Sequence, residues 1–315
     1  MMTTKPSATP PRRPQRQRVA LANLPPFRLT PRDGDILHSL YTYRALTTNQ
    51  LSDLHFAPVA MLTPPPPSSR CRNRLKFLYH GQFVARLEQP HLLAQGRKPF
   101  VYQLDKRGAD WLALQEGCEV ADLDWRPNET LSPLFLDHLL TTNEVRVAIA
   151  RAAQRYDYAL EQWIDDKSLK QRQHKATVVL KSATGKQQTA ALVPDGYFVL
   201  HTGSHYYHQF LEVDRATTTG ISGDWGRRTF ARKIAAYLEY YNSGKYHARY
   251  HTKSMRVLTV TTGEKRLANL MQVTDEVGGK GRFWFTTLAR LRLCDVLHDE
   301  IWQQPGRPGV RSLIW

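Results

Sequence analysis

Four carboxylates and one lysine have residue types and spacings that fit a hydrolytic metal site. Asp195 lies at a Pro-Asp-Gly turn where a predicted strand ends, and Glu212 and Asp214 end the next strand two residues apart. Side chains two apart on a strand share one face of the sheet. Lys233 lies on the helix that follows, and Glu144 lies on the flank of a long helix that could reach the sheet.

Carboxylates gathered at strand ends favour Mg²⁺, because that ion takes hard oxygen ligands and keeps several waters. We predict that Asp195 and Glu212 hold Mg²⁺, with Mn²⁺ as a substitute. In phosphodiester hydrolysis such an ion stabilises charge on the phosphate, and a nearby lysine counters the developing negative charge. The alternative is structural: a common turn at Asp195, and a strand-end ion pair between Asp214 and Arg215.

The charge of the chain indicates a polyanionic partner, and nucleic acid is the usual one. Lys and Arg number 44 against 28 Asp and Glu, which gives a net charge of +16 and a pI near 9.9. Residues 70–107 hold nine basic and two acidic side chains, and residues 215–256 hold the same numbers. A generally basic solvated surface is the alternative, but two concentrated blocks favour DNA binding.

A helix from Arg70 to about His80 is the first predicted DNA contact. Cys71, Leu75 and Leu78 share one face at helical spacing, which leaves polar side chains on the opposite side and flank. In the major groove an Arg can bridge the acceptors of guanine, and an Asn those of adenine. An ordinary solvated helix face is the alternative. The predicted contacts are Arg70, Arg72, Asn73, Arg74 and Lys76.

Two extended stretches, 83–87 and 100–104, follow this helix and are joined by a turn-rich segment that contains Arg97 and Lys98. Two helices precede them and one comes after. This order is typical of a winged helix-turn-helix, with Arg97 and Lys98 on the wing. Winged helices also mediate protein contacts, so the order alone does not establish DNA binding.

The chain divides into four predicted segments: a disordered basic arm (1–28), a winged helix-turn-helix domain (29–121), a linker (122–133) and a nuclease-like domain with a C-terminal tail (134–315). The arm has several prolines and no acidic residue, and it cannot bury enough apolar surface to order itself. The last segment predicts an α+β or α/β fold, an α/β sandwich with a mixed sheet. Its predicted elements are helices at 134–156, 224–242 and 264–277, strands at 159–163, 177–181, 190–200, 206–213, 256–261 and 282–285, and an amphipathic tail.

These motifs resemble the PD-(D/E)xK nuclease-like fold and, more closely, the replication-relaxation family encoded by plasmids and integrative elements. The resemblance covers roughly residues 28–290 and is carried by the winged-helix block and three motifs: PDGYF at 194–198, FLEVDR at 210–215 and RKIAAYLEYY at 232–241. It implies a role in plasmid replication and DNA relaxation.

Carried onto this sequence, the nuclease motif makes Asp195 the first acid and Glu212 the second. The nuclease motif has a lysine at the position that Asp214 occupies, so Asp214 departs from the motif. Lys233 on the following helix could replace that lysine, since a migrated lysine occurs in this fold. Without a replacement, the domain would bind DNA and cut nothing.

Other chemistries have weaker support. Tyr237 and Tyr241 lie four apart, like the paired tyrosines of rolling-circle initiators, but no His-hydrophobic-His strand accompanies them. We therefore interpret both as packing or DNA-stacking residues. No GxxxxGK[ST] loop indicates an NTP-driven motor, and Cys71, Cys118 and Cys294 lack zinc-site spacing. No run approaches the ~18 apolar residues of a membrane span, and no signal peptide is evident, so we expect a cytoplasmic protein.

The combined prediction is a DNA-binding protein of a mobile genetic element. The helix near residue 73 reads the site, and Arg227, Arg228 and Arg232 contact phosphates in the second block. The carboxylates then nick one strand with Mg²⁺. The expected partners are DNA and replication or conjugation proteins of the same element, and no heptad run supports a dimer. The alternatives are a non-catalytic initiator or recruiter, and a winged-helix transcriptional regulator.

Overall fold

The computed structural model describes residues 18–20, 23–24, 26, 28–87, 89, 98–126, 131–171, 175–181, 185, 187–215 and 229–314. Much of the predicted basic arm lies outside these residues, as do three predicted DNA contacts, Arg97, Arg227 and Arg228. No helix among the described residues is long and apolar enough to cross a membrane.

The N-terminal part, within the described residues, consists of helices and short strands: α1 (Pro31–Tyr43), β1 (Leu46–Thr47), α2 (Thr48–His55), α3 (Ser69–His80), β2 (Val84–Leu87), β3 (Val101–Leu104) and α4 (Lys106–Glu116). The predicted helices and extended stretches are confirmed. Local capping explains where they begin. The Thr30 N–H donates to Asp33 Oδ2 at 2.6 Å before α1, and the Ser68 hydroxyl accepts the Cys71 N–H at 3.2 Å before α3.

The three strands of this part form an antiparallel sheet in the order β1-β3-β2. The sequence pattern does not predict β1, because two residues are too few to show alternation. Helices α1, α3 and α4 share one apolar core through the buried side chains of Ile36, Leu75 and Leu112. The winged-helix interpretation of this arrangement remains a prediction.

Helix α5 (Pro133–Arg155) packs on both halves of the protein. Leu136 and Leu140 pack with Val101 of β3, whereas Ile149 belongs to the core of the C-terminal part. Arg151 is 5% exposed, and its guanidinium donates to backbone carbonyls of the segment after α2, among them Met61 O at 3.0 Å. The predicted linker at 122–133 therefore precedes a helix that is shared by both predicted domains.

The C-terminal part alternates strands and helices: β4 (Ala159–Asp165), α6 (Asp166–Lys170), β5 (Ala176–Lys181), β6 (Gln187–Leu192), β7 (Gly196–His201), β8 (Tyr206–Asp214), α7 (Phe230–Asn242), α8 (Lys245–Tyr250), β9 (Arg256–Thr261), α9 (Glu264–Glu276), β10 (Phe283–Thr287), α10 (Leu288–Leu293), β11 (Trp302–Gln304) and β12 (Arg307–Arg311). Seven of these strands form a sheet in the order β12-β11-β10-β9-β8-β7-β4, and β5 and β6 form a separate pair.

The seven-stranded sheet is mixed, as the sequence predicts. Strands β8, β9 and β10 run parallel at its centre, and antiparallel strands flank them on both sides. Helices α7 and α9 cover one face with side chains such as Ile234 and Leu270. Helix α5 covers the other face with side chains such as Ile149. Both faces of the sheet are therefore buried, which gives the predicted α/β sandwich.

Three predicted boundaries in this part need correction. The strand predicted at 190–200 is two strands, β6 and β7, because Pro194 cannot donate to a ladder and interrupts the run. Helix α7 begins at Phe230 behind its cap Thr229, and residues 224–228 of the predicted helix lie outside the described part. The amphipathic tail forms α10, β11 and β12, and its two strands extend the sheet at one edge.

Candidate functional site

Strand β8 positions Asp195, which lies just before β7. The Asp195 N–H donates to Leu211 O at 3.0 Å, and the Val213 N–H donates to Asp195 Oδ2 at 2.7 Å. The other carboxylate oxygen, Oδ1, is 2.9 Å from Nε2 of His138 on α5. Backbone and side-chain contacts thus hold this carboxylate at the end of the central strands.

Glu212 of β8 is the most deeply placed acid of the site, with its side chain only 4% exposed. The Tyr237 hydroxyl donates to Glu212 Oε1 at 2.6 Å, and the Lys233 ammonium forms an ion pair with Oε2. Lys233 and Tyr237 lie four apart on α7, so both face the same strand. The structure therefore brings together Asp195, Glu212 and Lys233 of the predicted site.

Asp214 points to the same side of β8 as Glu212, but it is held by a different helix. Arg266 of α9 donates to both Asp214 oxygens at 2.8 Å, and the Thr261 hydroxyl donates at 2.9 Å. This bidentate arrangement is a strong charge-assisted contact. Asp214 therefore tethers α9 to the end of the sheet, beside the cluster of Asp195, Glu212 and Lys233.

Burial and charge set the protonation of this cluster. Burial, helped by the nearby Asp195 charge, raises the pKa of Glu212 to about 7 although Lys233 and Tyr237 act to lower it. Burial also acts to raise the pKa of Asp195, but the His138 hydrogen bond and the Lys233 charge outweigh it and leave that pKa below its ordinary value. The carboxylates Glu212 and Asp195 likewise hold the pKa of Lys233 above its ordinary value, against its burial.

The donor chemistry of Asp195 and Glu212 fits a hard divalent cation. Each carboxylate oxygen has one protein partner and keeps further lone-pair capacity. Mg²⁺ is usually bound by one or two carboxylates, waters and substrate phosphates, not by a complete protein cage. The described residues contain no group of three or more His, Cys, Asp or Glu side chains that could hold a metal ion.

Glu144 lies away from this cluster. Its carboxylate pairs with Arg292 of α10, and its side chain is 29% exposed. The helical phase explains the difference, because six residues at about 100° each separate Glu144 from His138, which puts them on different faces of α5. His138, not Glu144, is the α5 residue that reaches the sheet at Asp195.

The predicted DNA-reading side chains on α3 separate into two groups. Arg74 is committed inside the protein, because its guanidinium pairs with the fully buried Asp33 and also donates to Arg28 O at 2.7 Å. The remaining four side chains of the predicted set are exposed: Arg70, Arg72, Asn73 and Lys76. Elsewhere, Lys98 is half-buried before β3, and Arg232 is half-buried in the first turn of α7.

Three residues of the site are missing from the sequence prediction: His138, Tyr237 and Arg266. The four-residue spacing from Lys233 to Tyr237 is a usable signal, because it places both on one helix face. Tyr237 is fully buried, so packing and a hydrogen bond to Glu212 account for it and stacking on DNA does not. His138 and Arg266 reach the site from distant elements, and no local spacing indicates them.

The His138–Asp195 pair should stabilise the fold within a defined pH range. The Asp195 hydrogen bond raises the pKa of His138 despite its burial, so that contribution is full below the ordinary value of 6.5 and disappears as pH rises through the raised pKa. The lowered pKa of Asp195 gives a contribution that is full above 3.8 and disappears as pH falls through the lowered pKa. The pair therefore stabilises most between these two ordinary values.

We expect His138→Gln to lower the free energy of unfolding by about 1 kcal/mol more at about pH 5.5 than at about pH 8.5. The effect is small because the His138 side chain is 34% exposed and solvent screens the pair. Urea unfolding of both proteins at the two pH values measures this difference. The exposed His247 is the control: His247→Gln should show no such difference. Equal losses for His138→Gln at both pH values would contradict the assignment.

The fold and the site define a mixed α/β protein with a buried carboxylate–lysine cluster at the end of its central parallel strands. The sequence model of the replication-relaxation family matches residues 37–255, and the chain belongs to that family. No curated protein matches this chain.

Among solved structures, the chain is similar to the restriction endonuclease FokI bound to DNA, with 11% sequence identity and a TM-score of 0.24. The match covers 82% of this chain and 43% of the FokI chain, so this protein spans less than half of that enzyme. A similarity at this level carries no weight for fold or activity.

Proposed function

We propose that this protein acts in plasmid replication and relaxation by binding DNA and nicking one strand at the Asp195–Glu212–Lys233 cluster. The observation that carries the proposal is the convergence of these three residues from a turn, a strand and a helix. Two carboxylates at one strand end can hold a metal ion for phosphodiester hydrolysis, and a lysine beside them can stabilise negative charge on the phosphate. Membership of the replication-relaxation family supports the same process.

In this proposal Asp195 and Glu212 hold Mg²⁺, or Mn²⁺ in its place. When bound, such an ion supplies charge stabilisation on the phosphate and a water of lowered pKa. Lys233 keeps a positive charge beside both carboxylates, where it counters negative charge that develops on the phosphate. His138 and the Val213 N–H orient Asp195, and Tyr237 orients Glu212.

We propose further that the N-terminal part is a winged helix that places α3 in the major groove of DNA. The order of helices and strands and the antiparallel β1-β3-β2 sheet support this interpretation. The exposed Arg72, Asn73 and Lys76 present one donor-rich side, while Cys71 and Leu75 are buried behind them. Arg70 and Lys98 then add charge near the DNA backbone. Arg74 is excluded from base reading because it pairs with Asp33.

A nicking assay tests the enzymatic part of this proposal. Supercoiled plasmid is incubated with Mg²⁺ or Mn²⁺ and wild-type protein, Asp195→Ala or Glu212→Ala, and the open-circular product is measured. We expect nicking by the wild type and none by either variant, with circular dichroism confirming that all three are folded. If the wild type shifts plasmid on a gel but leaves it supercoiled, the protein is not a nickase.

One observation favours a second candidate function, that of a non-catalytic initiator or recruiter. All four carboxylate oxygens of Asp195 and Glu212 already have protein partners, and Lys233 neutralises Glu212. A cluster closed in this way would stabilise a surface that docks DNA or other replication or conjugation proteins of the same element. This function requires binding without cleavage, as would a winged-helix transcriptional regulator, so the same assay separates both from a nickase.

DNA binding itself should depend steeply on salt. Each phosphate contacted by Lys or Arg releases counterions, and six to ten contacts cost about 10³–10⁵ in affinity between about 50 and 200 mM salt. The concentrated basic blocks of this chain lead us to expect a loss in that range. Fluorescence anisotropy with a labelled duplex measures it. Affinity that does not change with salt would contradict phosphate-driven binding.

A further inference from the structure

A basic groove of about 550 Å³ lies at the end of the sheet where β9 and β10 begin. Four cationic side chains line it, one from the start of β9, two from the segment before β10 and one from β12: Arg256, Lys280, Arg282 and Arg307. No acidic side chain is among its lining residues in the described part of the chain. The predicted carboxylate site lies at the opposite end of the parallel strands, so the groove is separate from it.

The groove arginines are held in place by aromatic rings and polar groups. The Arg282 guanidinium lies 3.5 Å from the centre of the Tyr241 ring, and Arg256 lies 5.0 Å from that of Trp284. Arg256 also donates to Leu313 O at 2.6 Å, and Arg307 donates to Gln304 at 3.3 Å. Stacking fixes the plane of a guanidinium and leaves its charge in place.

Three of these cations are not neutralised by carboxylates. Within the described residues, Lys280, Arg282 and Arg307 make no ion pair, whereas Arg266, for example, pairs with Asp214. Lys280 and Arg307 are exposed to solvent, and Arg282 is half-buried. A concave surface with several uncompensated charges concentrates an anionic ligand.

We propose that this groove binds the phosphate backbone of DNA, as a contact separate from α3 and from the predicted Arg227, Arg228 and Arg232 contacts. Guanidinium and ammonium groups donate well to phosphate oxygens. The one tryptophan that lines the groove, Trp284, is only 2% exposed, so it cannot stack on a base. The groove therefore contacts the backbone and is insensitive to base sequence.

This inference rests on the proposed function, because it gives the groove a role at the carboxylate site. Helix α7 carries Lys233 near its start and Tyr241, beneath Arg282, near its end. Eight residues of helix correspond to about 12 Å, or between three and four base-pair steps of about 3.4 Å. In this inference a DNA strand held in the groove runs alongside α7, towards the end of the sheet that holds the carboxylates.

The test compares two double variants of the full-length protein with the wild type. Lys280→Gln with Arg307→Gln removes two exposed groove charges, and Lys175→Gln with Lys181→Gln removes two exposed charges next to and at the end of β5. Binding of a labelled duplex is measured by fluorescence anisotropy over a range of salt concentrations. Circular dichroism and urea unfolding establish that both variants are folded.

We expect the groove variant to bind DNA on the order of tenfold more weakly than the wild type. Its plot of log affinity against log salt concentration should be shallower by about two units, because each phosphate contact contributes about one unit to the slope. The control variant should keep the wild-type slope. If the wild type binds DNA and the two variants behave alike, the groove inference fails and the proposed function stands. If the wild type does not bind DNA at any salt concentration, both fail together.

Discussion

Arg74→Ala is expected to lower the free energy of unfolding by about 3 kcal/mol, whereas Arg72→Ala, two residues earlier on α3, is expected to change it by less than about 0.5 kcal/mol. The two arginines look equivalent in sequence, but Arg74 is paired with the fully buried Asp33. Removing Arg74 leaves that fully buried carboxylate with its Thr30 hydrogen bonds but without a cation, which is costlier than losing a surface contact. Breaking a buried ion pair by removing one partner costs about 3–5 kcal/mol. Because the Arg74 side chain is 22% exposed, we expect a loss at the low end of that range.

For DNA binding we expect the larger direct effect from Arg72→Ala, the variant that hardly changes stability. Arg72 is exposed on the side of α3 that we propose enters the groove, and its loss should cost about 1–3 kcal/mol of discrimination for its base. Urea unfolding and anisotropy titrations against matched and mismatched duplexes measure the two effects. The control is Asp33→Asn with Arg74→Ala, which should recover part of the stability lost in Arg74→Ala alone. Equal stability of Arg72→Ala and Arg74→Ala would contradict the assignment of Arg74 to the core.

The difference between Arg72 and Arg74 shows what the local sequence pattern of α3 can predict and what it cannot. The helical period of α3 correctly places Cys71, Leu75 and Leu78 in the core and Arg70, Arg72 and Lys76 outside. It cannot reveal that Arg74 has a partner 41 residues earlier in the chain, because that contact depends on how α1 packs against α3. Asp33 also looks like an ordinary capping residue in the sequence, and it does hydrogen-bond to Thr30.

The same limit applies at the carboxylate site. Period-two alternation correctly puts Glu212 and Asp214 on one face of β8, and the lysine on α7 does reach Glu212. Helix α9 removes Asp214 from the set of acids that could bind a cation, because Arg266 donates to both of its carboxylate oxygens. The phase of α5 decides that His138 faces Asp195. Both outcomes depend on helix orientations that no single segment specifies.

The fold shows a parallel contrast. Helices α5 and α9 and the parallel strands β8, β9 and β10 have enough residues to show their period, and they are predicted to within two residues at each end. The two-residue β1 and the three-residue β11 are too short for that signal, and β12 contains Pro308 and Gly309, which are depleted in strands. Pairing creates them: β1 exists because Leu46 meets Tyr102, and β11 because Gln303 meets Phe285.

Lys233→Met is expected to reduce plasmid nicking by about 10²–10³, as removal of one stabilising donor does at other catalytic sites. Asp214→Asn should leave nicking unchanged, although the motif places a catalytic residue at position 214. The structure gives the reason: Lys233 contacts Glu212 directly, whereas Asp214 is occupied by Arg266 and Thr261. Asp214→Asn should instead reduce stability, because it weakens the tether of α9. Nicking rates, gel shifts and urea unfolding of both variants measure these effects.

The pH profile of nicking separates loss of a catalytic charge from simple damage to the fold. Glu212 must be ionised to hold a cation, and its pKa is about 7 while Lys233 is present. Removing the Lys233 charge removes an influence that lowers this pKa, so the residual nicking of Lys233→Met should rise at higher pH than nicking by the wild type. Lys233→Arg keeps the charge and should keep a profile close to that of the wild type. A Lys233→Met profile that superimposes on that of the wild type would show that Lys233 does not act on Glu212. If Asp214→Asn loses as much nicking as Lys233→Met, Asp214 and its partner Arg266 on α9 belong to the catalytic site.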